Sequence, residues 1–277
     1  MAGSDDFFVR FWGVRGSIAC ADSGTSRYGG NTSCLEVRCG GQLFVFDAGT
    51  GFRYLGNAIL NESPIDADLF LTHTHFDHVV GLPFFRPAFN PKNSFRIWAG
   101  HLLPDHTVQH VLRQMMIAPL FPVPVDIFMA KIDFHDFNAG ETLEPKSGVR
   151  VRTAPLHHPN GATGYRIEFD GKSICYLTDT EHIIDEPDEN IIELIAGADI
   201  VIYDSMFNEE EFAQRKGWGH STWQEGARLC ELSGAKQFVI FHHDPDHDDD
   251  MLDKVAAEAE ALRPGTVVAR EGMVLSP

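Results

Sequence analysis

Histidine and aspartate occur together at unusual density in one short segment of the chain, His73-Thr74-His75-Phe76-Asp77-His78. In an extended segment the side chains of His73 and His75 point to the same side, so that two imidazoles can bind one metal ion. The turn that follows can direct Asp77 and His78 at a second ion. Nitrogen and oxygen ligands suit zinc and also allow iron or manganese. The spacing therefore predicts a two-metal hydrolytic site, and the alternative is a polar turn that happens to be rich in histidine.

The H-x-H-x-D-H motif after an apolar strand resembles the signature of the metallo-β-lactamase fold hydrolases. A second segment, Pro155-Leu156-His157-His158-Pro159 ahead of Gly164-Tyr165, is similar to the third motif of the phosphodiesterase branch of that family, which includes ribonuclease Z. In that motif the ligand histidine lies six residues before the Gly-Tyr pair. The resemblance therefore implies that His158, and not His157, is a metal ligand.

Two more segments resemble the remaining ligand motifs of the family. Leu177-Thr178-Asp179-Thr180 looks like the fourth motif, whose aspartate bridges both metals, and Phe238-Val239-Ile240-Phe241-His242 looks like the fifth, a strand that ends in a ligand. The resemblance implies two divalent cations, with zinc as the first expectation and manganese or iron as alternatives. Asp179 would bridge the two ions. The other implied ligands are His73, His75 and His158 at one ion, and Asp77, His78 and His242 at the other.

Two further motifs resemble ribonuclease Z more narrowly. Ile202-Tyr203-Asp204-Ser205-Met206-Phe207 and Gly219-His220-Ser221-Thr222 are similar to segments in which an acid and a histidine form a pair near the scissile phosphate. The resemblance implies that Asp204 and His220 form this pair, with aspartate where the family has glutamate. With Asp77 they are the implied catalytic residues, and His220 would protonate the leaving alkoxide or stabilise developing charge. The alternative is that Asp204 merely ends its strand and that His220 lies on the surface ahead of a helix.

The charge of the chain bears on its substrate. The chain has 22 lysine and arginine residues and 40 aspartate and glutamate residues, which gives a net charge of −18. This charge weighs against a broad cationic surface that binds nucleic acid or anionic lipid. The basic, Gly- and Pro-rich arm that holds transfer RNA in bacterial ribonuclease Z has no counterpart here. We therefore predict a phosphodiesterase that acts on a small or cyclic phosphodiester, with long nucleic acid disfavoured.

Three alternatives remain open at this point. The same fold supports hydrolysis of a thioester, lactone or β-lactam, and a non-catalytic metal-binding sensor needs no substrate. A nuclease that processes transfer RNA is a third alternative, which the net charge disfavours. The resemblance also implies that homodimers are frequent.

The sequence predicts a soluble, cytoplasmic protein with no membrane partner. No run of about eighteen apolar residues is present, and the N-terminus carries Asp5 and Asp6 where a signal peptide would be basic and then apolar. The five cysteines are scattered without a C-x-x-C spacing, which indicates neither a disulfide framework nor a thiolate zinc site.

Other polar residues are weaker candidates. Arg15, in the loop Gly13–Ser17, could contact a phosphate, but the favoured interpretation is that the glycines around it permit a tight turn. His243 would face away from the preceding ligand, and a role beside the metal site and a place in a solvated loop both stay open. His106 and His110 are spaced four apart on a predicted helix and are expected on a surface or lid, not at a metal.

The pattern of apolar runs and turn residues predicts the elements that position these side chains. Thr222 and Glu225 form a predicted capping box, and Gly234 ends the helix that follows. The last two predicted strands should form a hairpin about Glu271-Gly272. Predicted strands are Phe7–Trp12, Cys34–Arg38, Leu43–Phe46, Asp68–Thr72, Val149–Ala154, Thr163–Phe169, Ser173–Leu177, Ile200–Tyr203, Phe238–Phe241, Val267–Ala269 and Met273–Leu275. Predicted helices are Thr107–Met116, Asn190–Ala196 and Met251–Leu262, the last begun by His247 and Asp248.

These elements predict an α/β protein with one four-layer αββα domain spanning residues 1–277. Two packed sheets would form its centre, with helices on their outer faces. A lid-like insertion is expected at about residues 101–128, where the prolines of Ala118–Pro124 forbid regular structure. We expect this insertion to be a hydrophobic lid or a dimer contact.

Overall fold

Two β-sheets packed face to face form the centre of the protein. The computed structural model describes residues 7–277, so the acidic residues Asp5 and Asp6 lie outside the described part. The strands are β1 (Phe7–Gly13), β2 (Cys34–Cys39), β3 (Gln42–Phe46), β4 (Asp66–Leu71), β5 (Ser94–Ala99), β6 (Lys131–Asp136), β7 (Thr142–Lys146), β8 (Val149–Leu156), β9 (Ala162–Phe169), β10 (Lys172–Leu177), β11 (Ile200–Asp204), β12 (Gln237–Phe241), β13 (Val267–Val268) and β14 (Val274–Leu275).

The α-helices lie between these strands and cover the outer faces of the sheets. They are α1 (Thr50–Ala58), α2 (Phe76–Val79), α3 (Val108–Met115), α4 (Glu189–Ile195), α5 (Glu209–Phe212), α6 (Trp223–Ser233) and α7 (Asp249–Leu262). Among the described residues, none of these helices has the length and apolar character that a membrane crossing requires.

Each sheet has antiparallel neighbours on one side and parallel neighbours on the other. Within residues 7–277 the first sheet has the order β14-β1-β2-β3-β4-β5-β6, and the second has the order β13-β12-β11-β10-β9-β8-β7. Strands β3 to β6 are parallel to one another, and so are β10 to β13. Because parallel strands end at the same edge of a sheet, the loops after β4, β10, β11 and β12 can meet at one place.

Three apolar clusters separate the four layers. The inner cluster lies between the sheets and includes Phe11 and Phe46 from the first sheet and Tyr165 and Phe241 from the second. Strand β1 alternates buried and half-buried residues along its whole length, as a strand with one face on a core should. The outer clusters join α1 and α3 to the first sheet, and α4, α6 and α7 to the second. The predicted four-layer αββα sandwich is therefore confirmed.

Most element boundaries agree with the sequence-based predictions, but some local details differ. Thr222 caps α6 by accepting from the backbone N–H of Glu225 at 3.1 Å, and Gly234 ends that helix in the left-handed region at φ 68°. The carboxylate of Glu225 does not reach back to the cap, because it accepts from Arg228 Nε at 2.9 Å. Strands β5, β6 and β7 were not predicted, since their charged and half-exposed residues break the apolar pattern.

The predicted hairpin at the end of the chain is wrong. β13 pairs with β12 in the second sheet, whereas β14 pairs with β1 in the first. The turn between them is fixed to neighbouring loops: the N–H of Glu271 donates to Tyr28 O, and its carboxylate accepts from the N–H and the side-chain amide of Asn31. The chain therefore crosses from one sheet to the other instead of folding back on itself.

The segment predicted as a lid packs partly onto the first sheet. Val108 and Leu112 of α3 are buried in the outer cluster, and α3 contacts β5 and β6. The prolines that follow lie in irregular, largely exposed chain, where the ring of Phe121 packs edge-on against Phe84 at 5.9 Å between centroids. A role of this segment as a lid or dimer contact stays a prediction.

Arg15 is a structural residue, and the structure contradicts the weaker of its two interpretations, contact with a phosphate. Its side chain is fully buried. Nε donates to Gly29 O at 2.8 Å, and Nη1 donates to Asp244 O at 3.0 Å and to His247 O at 2.6 Å. The guanidinium thus ties the N-terminal glycine loop to the segment that follows β12.

We expect Arg15→Ala to lower the free energy of unfolding by roughly 2–4 kcal/mol, because each buried carbonyl left without a donor costs about 1 kcal/mol or more. Urea denaturation followed by circular dichroism measures this change. The exposed Arg53 offers a matched control, since Arg53→Ala removes the same charge without opening the interior. Equal stabilities of the two variants would contradict the structural role of Arg15.

Candidate metal centre

The candidate site lies at the edge of the sandwich where the parallel strands end. His73 follows β4, Asp179 follows β10, Asp204 is the last residue of β11, and His242 follows β12. His158 comes from the end of β8. Each motif therefore reaches the site from the end of its own strand, and both sheets contribute side chains.

Three of the predicted ligands form one group of donor atoms. The ligand atoms of His73, His75 and His158 all lie within 4.8 Å of one another. His158 Nε2 is 3.1 Å from His75 Nδ1. The neighbouring His157 has a side chain that is 66% exposed and points elsewhere, toward Asp188. The structure thus places His158, and not His157, beside the early histidines.

Asp77, His78 and His242 form a second group, again with their donor atoms within 4.8 Å of one another. Asp77 Oδ2 lies 3.1 Å from His78 Nε2 and 3.6 Å from His242 Nε2. The backbone N–H of Ser17 donates to the same carboxylate oxygen at 2.9 Å. Asp77 is therefore oriented by the N-terminal loop as well as by its own helix, α2.

Asp179 lies between the two groups. Its Oδ1 is 3.7 Å from His73 Nε2 and 3.6 Å from His158 Nε2, while its Oδ2 is 3.1 Å from His78 Nε2 and 3.3 Å from His242 Nε2. One oxygen thus faces each group. The side chain is buried, and its backbone lies in the left-handed region at φ 62°, which is strained for a residue with a Cβ.

The donor set fits divalent cations. His73 Nε2, His78 Nε2 and both ring nitrogens of His242 are buried without a hydrogen-bond partner in the structure, an arrangement that is costly unless a ligand satisfies them. Burial, joined by the neighbouring histidines, holds the pKa of His73 well below its usual value, whereas Asp77, Asp179 and Asp47 outweigh burial and raise the pKa of His78. Nitrogen and carboxylate donors suit zinc and also accept iron or manganese.

Asp47 hydrogen-bonds to His78, one residue of this donor set, and was missed by sequence reasoning. Its carboxylate accepts from His78 Nδ1 at 2.8 Å, from the N–H of Thr72 at 2.8 Å, and from the hydroxyl of Tyr176 at 2.9 Å. It fixes the His78 ring so that Nε2 faces the site. The available signal was its position: Asp47 directly follows an apolar strand, and Asp179 comes two residues after one.

Asp204 and His220 form a buried pair. His220 Nδ1 donates to Asp204 Oδ2 at 2.9 Å, and the two side chains are 9% and 0% exposed. Burial lowers the pKa of His220, but Asp204, with help from Asp179 and Asp77, outweighs it and raises that pKa to about 9. The alternative in which His220 is a surface residue is therefore wrong, and its Nε2 is left free to act on a neighbouring group.

The remaining histidines do not join the donor groups in residues 7–277. His243 is buried and donates from Nε2 to Ala269 O at 2.8 Å, which rules out a solvated loop, and burial lowers its pKa to about 3. His106 and His110 are exposed, with their rings 6.2 Å apart. His247 donates to Glu211 Oε1 at 2.8 Å.

The last long helix begins after its cap Asp248 as predicted, whereas the side chain of His247, also predicted there, contacts Glu211 instead. The side chain of Asp248 accepts from the N–H of Met251 at 2.8 Å and so caps α7, as the charge pattern indicated.

The fold and the site together define the class of protein. The family described as beta-lactamase superfamily domain matches residues 43–243, and the chain belongs to this family. Among relatives, a ribonuclease Z of Haloarcula marismortui is 23% identical, over 96% of this chain and 95% of its own length. The resemblance to the metallo-β-lactamase fold hydrolases and their ribonuclease Z branch is confirmed.

Solved structures show the same fold. The metallo-beta-lactamase fold protein YhfI from Bacillus subtilis superposes with a TM-score of 0.75 at 19% identity, covering 99% of this chain and 100% of that protein. A diphosphatase from the PhnP family superposes with a TM-score of 0.72 at 22% identity, covering 98% of each chain.

We expect Asp47→Asn to weaken zinc binding by roughly 10- to 100-fold, the usual effect of removing a partner that orients a metal ligand. An amide cannot accept from His78, Thr72 and Tyr176 at once, so the His78 ring loses its fixed orientation. Competition with a chromophoric chelator measures the affinity. The exposed Asp185 supplies a matched control as Asp185→Asn, and equal zinc affinities of the two variants would contradict the role of Asp47.

Proposed function

We propose that this chain is a binuclear metal-dependent phosphodiesterase that acts on a small or cyclic phosphodiester. One observation carries the proposal: Asp179 faces both donor groups, one with each carboxylate oxygen, and His220 Nδ1 of the buried Asp204–His220 pair lies 3.8 Å from Asp179 Oδ1. Zinc is the proposed metal, with manganese or iron as alternatives.

The proposed ligands divide between the two groups described above. Asp179 would be shared by two cations, one held by His73, His75 and His158 and the other by Asp77, His78 and His242. When bound, two divalent cations supply a nucleophile from water at neutral pH and take up charge on phosphoryl oxygens. Because both sheets provide these ligands, we also propose that residues 1–277 act as a single domain.

His220 would be the residue that handles the leaving group. Its Nδ1 donates to Asp204, which fixes the orientation of the ring and leaves Nε2 to donate a proton to the departing alkoxide oxygen. Asp204 is in turn held by the N–H groups of Asp179 and Thr180, at 3.0 and 3.3 Å from its Oδ2. Asp77 completes the proposed catalytic residues by orienting the group around His78 and His242.

Charge and shape support a small substrate. The net charge of −18 opposes extended contact with a polyanion. Beside His73 and His75 a cavity of about 430 Å³ is lined by His101, Leu102 and Asn160 among others, which is within the size range of small-molecule sites. The similarity to ribonuclease Z along nearly the whole chain supports cleavage of a phosphodiester bond. A cytoplasmic location and a homodimer stay predictions.

A substrate panel tests the proposed function. We expect the zinc-loaded protein to hydrolyse an aryl phosphodiester and at least one cyclic nucleotide, and to lose this activity on chelation and regain it with zinc. Hydrolysis of a lactone or a glutathione thioester alone would instead support a carbonyl hydrolase. A fully metallated protein that is inert on the whole panel would support a non-catalytic role, and preferential cleavage of transfer RNA would contradict a small substrate.

We expect His220→Ala to keep its zinc content and to lose turnover by a factor of roughly 10² to 10⁴, the usual contribution of a general acid. The loss should be largest for a substrate with a poor leaving group, since such a group needs the proton most. Metal analysis and steady-state kinetics on the same preparation measure both quantities. The exposed His157 provides the control as His157→Ala, and loss of zinc from His220→Ala would show that His220 is a ligand instead.

A further inference from the structure

We propose that Glu181 is a positioning residue for His220, acting through the segment Gly217–Gly219, which we call the strap. This inference rests on the proposed role of His220 in the hydrolysis of a phosphodiester. Glu181 follows the Asp179-Thr180 pair directly in sequence, yet its side chain points to a different loop, the one that ends at His220.

The carboxylate of Glu181 holds the strap by its backbone. The N–H of Gly217 donates to both carboxylate oxygens at 2.8 Å, and the N–H of Gly219 donates to Oε2 at 2.8 Å. Both glycines have φ of 86°, a conformation that residues with a Cβ rarely adopt and that turns the two N–H groups toward one anion. Hydrogen bonds to an ionised carboxylate are stronger than those between neutral groups.

The other side of the strap packs against a proposed metal ligand. Gly219 O accepts from His158 Nδ1 at 2.8 Å, and a Cβ at position 219 would overlap the His158 ring and Pro159 Cδ. The backbone N–H of Glu181 donates to His157 O at 2.7 Å. Glu181 therefore joins the segment that carries His158 to the segment that carries His220.

Besides Glu181, His158 donates to Gly219 O, and Trp218 contacts Arg215 through its N–H, which donates to Arg215 O at 3.2 Å, and through its ring, 5.9 Å from the guanidinium. Lys216, Gly217 and Trp218 are exposed, with the Trp218 side chain 62% accessible. Three of the hydrogen bonds of the strap go to the Glu181 carboxylate, so this carboxylate holds both of its glycine N–H groups. Because His220 is the next residue, the placement of its ring beside Asp204 depends on where Gly219 is held. The ring centroids of His220 and His158 are 5.4 Å apart, so a small shift of the strap changes the site.

The test compares Glu181→Ala, Glu181→Gln and the matched control Glu186→Gln, which removes one negative charge from an exposed side chain of the same loop. We expect Glu181→Ala to lower kcat on an alkyl phosphodiester by roughly 10- to 100-fold, the usual effect of removing a partner that orients a functional residue. KM and zinc content at saturating metal should be unchanged. Glu181→Gln should lose less, because one amide oxygen can still accept from Gly219, and an aryl phosphodiester with a good leaving group should be less affected.

Two further measurements decide the mechanism. In the His220→Ala background, Glu181→Ala should cause no further loss of kcat, because residues that act as one unit are not additive; an undiminished further loss would overturn the proposal. Hydrogen exchange of the amides of Gly217 and Gly219 should be faster in Glu181→Ala than in Glu186→Gln, and unchanged exchange would also overturn it. Hydrogen exchange can be measured without turnover. A wild-type protein that is inert on phosphodiesters would refute the proposed function, and the exchange result would still decide whether Glu181 holds the strap.

Discussion

The buried carboxylate of Asp179 imposes the strictest physical requirement in this structure. A carboxylate taken out of water needs positive charge or hydrogen-bond donors on both oxygens, and here each oxygen faces a different group of imidazoles. Several of those imidazole nitrogens are themselves buried without a hydrogen-bond partner among residues 7–277. Cations between Asp179 and these imidazoles would balance the charge of the carboxylate and bind the unpaired ring nitrogens at the same time. The two sheets can therefore be understood as the scaffold that holds the Asp179 carboxylate between the two donor groups.

Backbone strain is concentrated at the same place. Asp47, Asp179 and His242 each follow an apolar strand, and each adopts a positive φ of about 60°, which costs roughly 1–2 kcal/mol for a residue with a Cβ. All three residues lie at strand ends beside the candidate metal centre, where the positive φ changes the direction of the chain. Strain of this kind persists where surrounding contacts require it, and here the contacts are those of the candidate metal centre.

Local patterns in the sequence were enough to predict the layers, most strands and the residues that converge, because the ligand motifs are short and each follows an apolar strand. Contacts between distant segments were not predictable in this way. Arg15 resembles an anion-binding residue in its glycine loop, yet it is buried against carbonyls more than 200 residues away in sequence. The sequence of the last two strands resembles a hairpin, but the two strands join different sheets. The turn between them is held by hydrogen bonds of Glu271 to Tyr28 and Asn31. Asp47 has no motif, and only the folded chain shows that it orients His78.

The Asp204–His220 pair and the proposed ligand set are linked through the backbone, and this link determines which substitution can separate their proposed roles. Asp204 Oδ2 accepts from His220 and also from the N–H groups of Asp179 and Thr180. Removing that carboxylate would therefore free His220 and at the same time release the strained turn that places Asp179 between the two donor groups. His220 has no comparable bond to the turn at Asp179. We therefore expect a change at His220 to affect the proposed proton transfer alone, and a change at Asp204 to affect the proposed proton transfer and the proposed cation binding together.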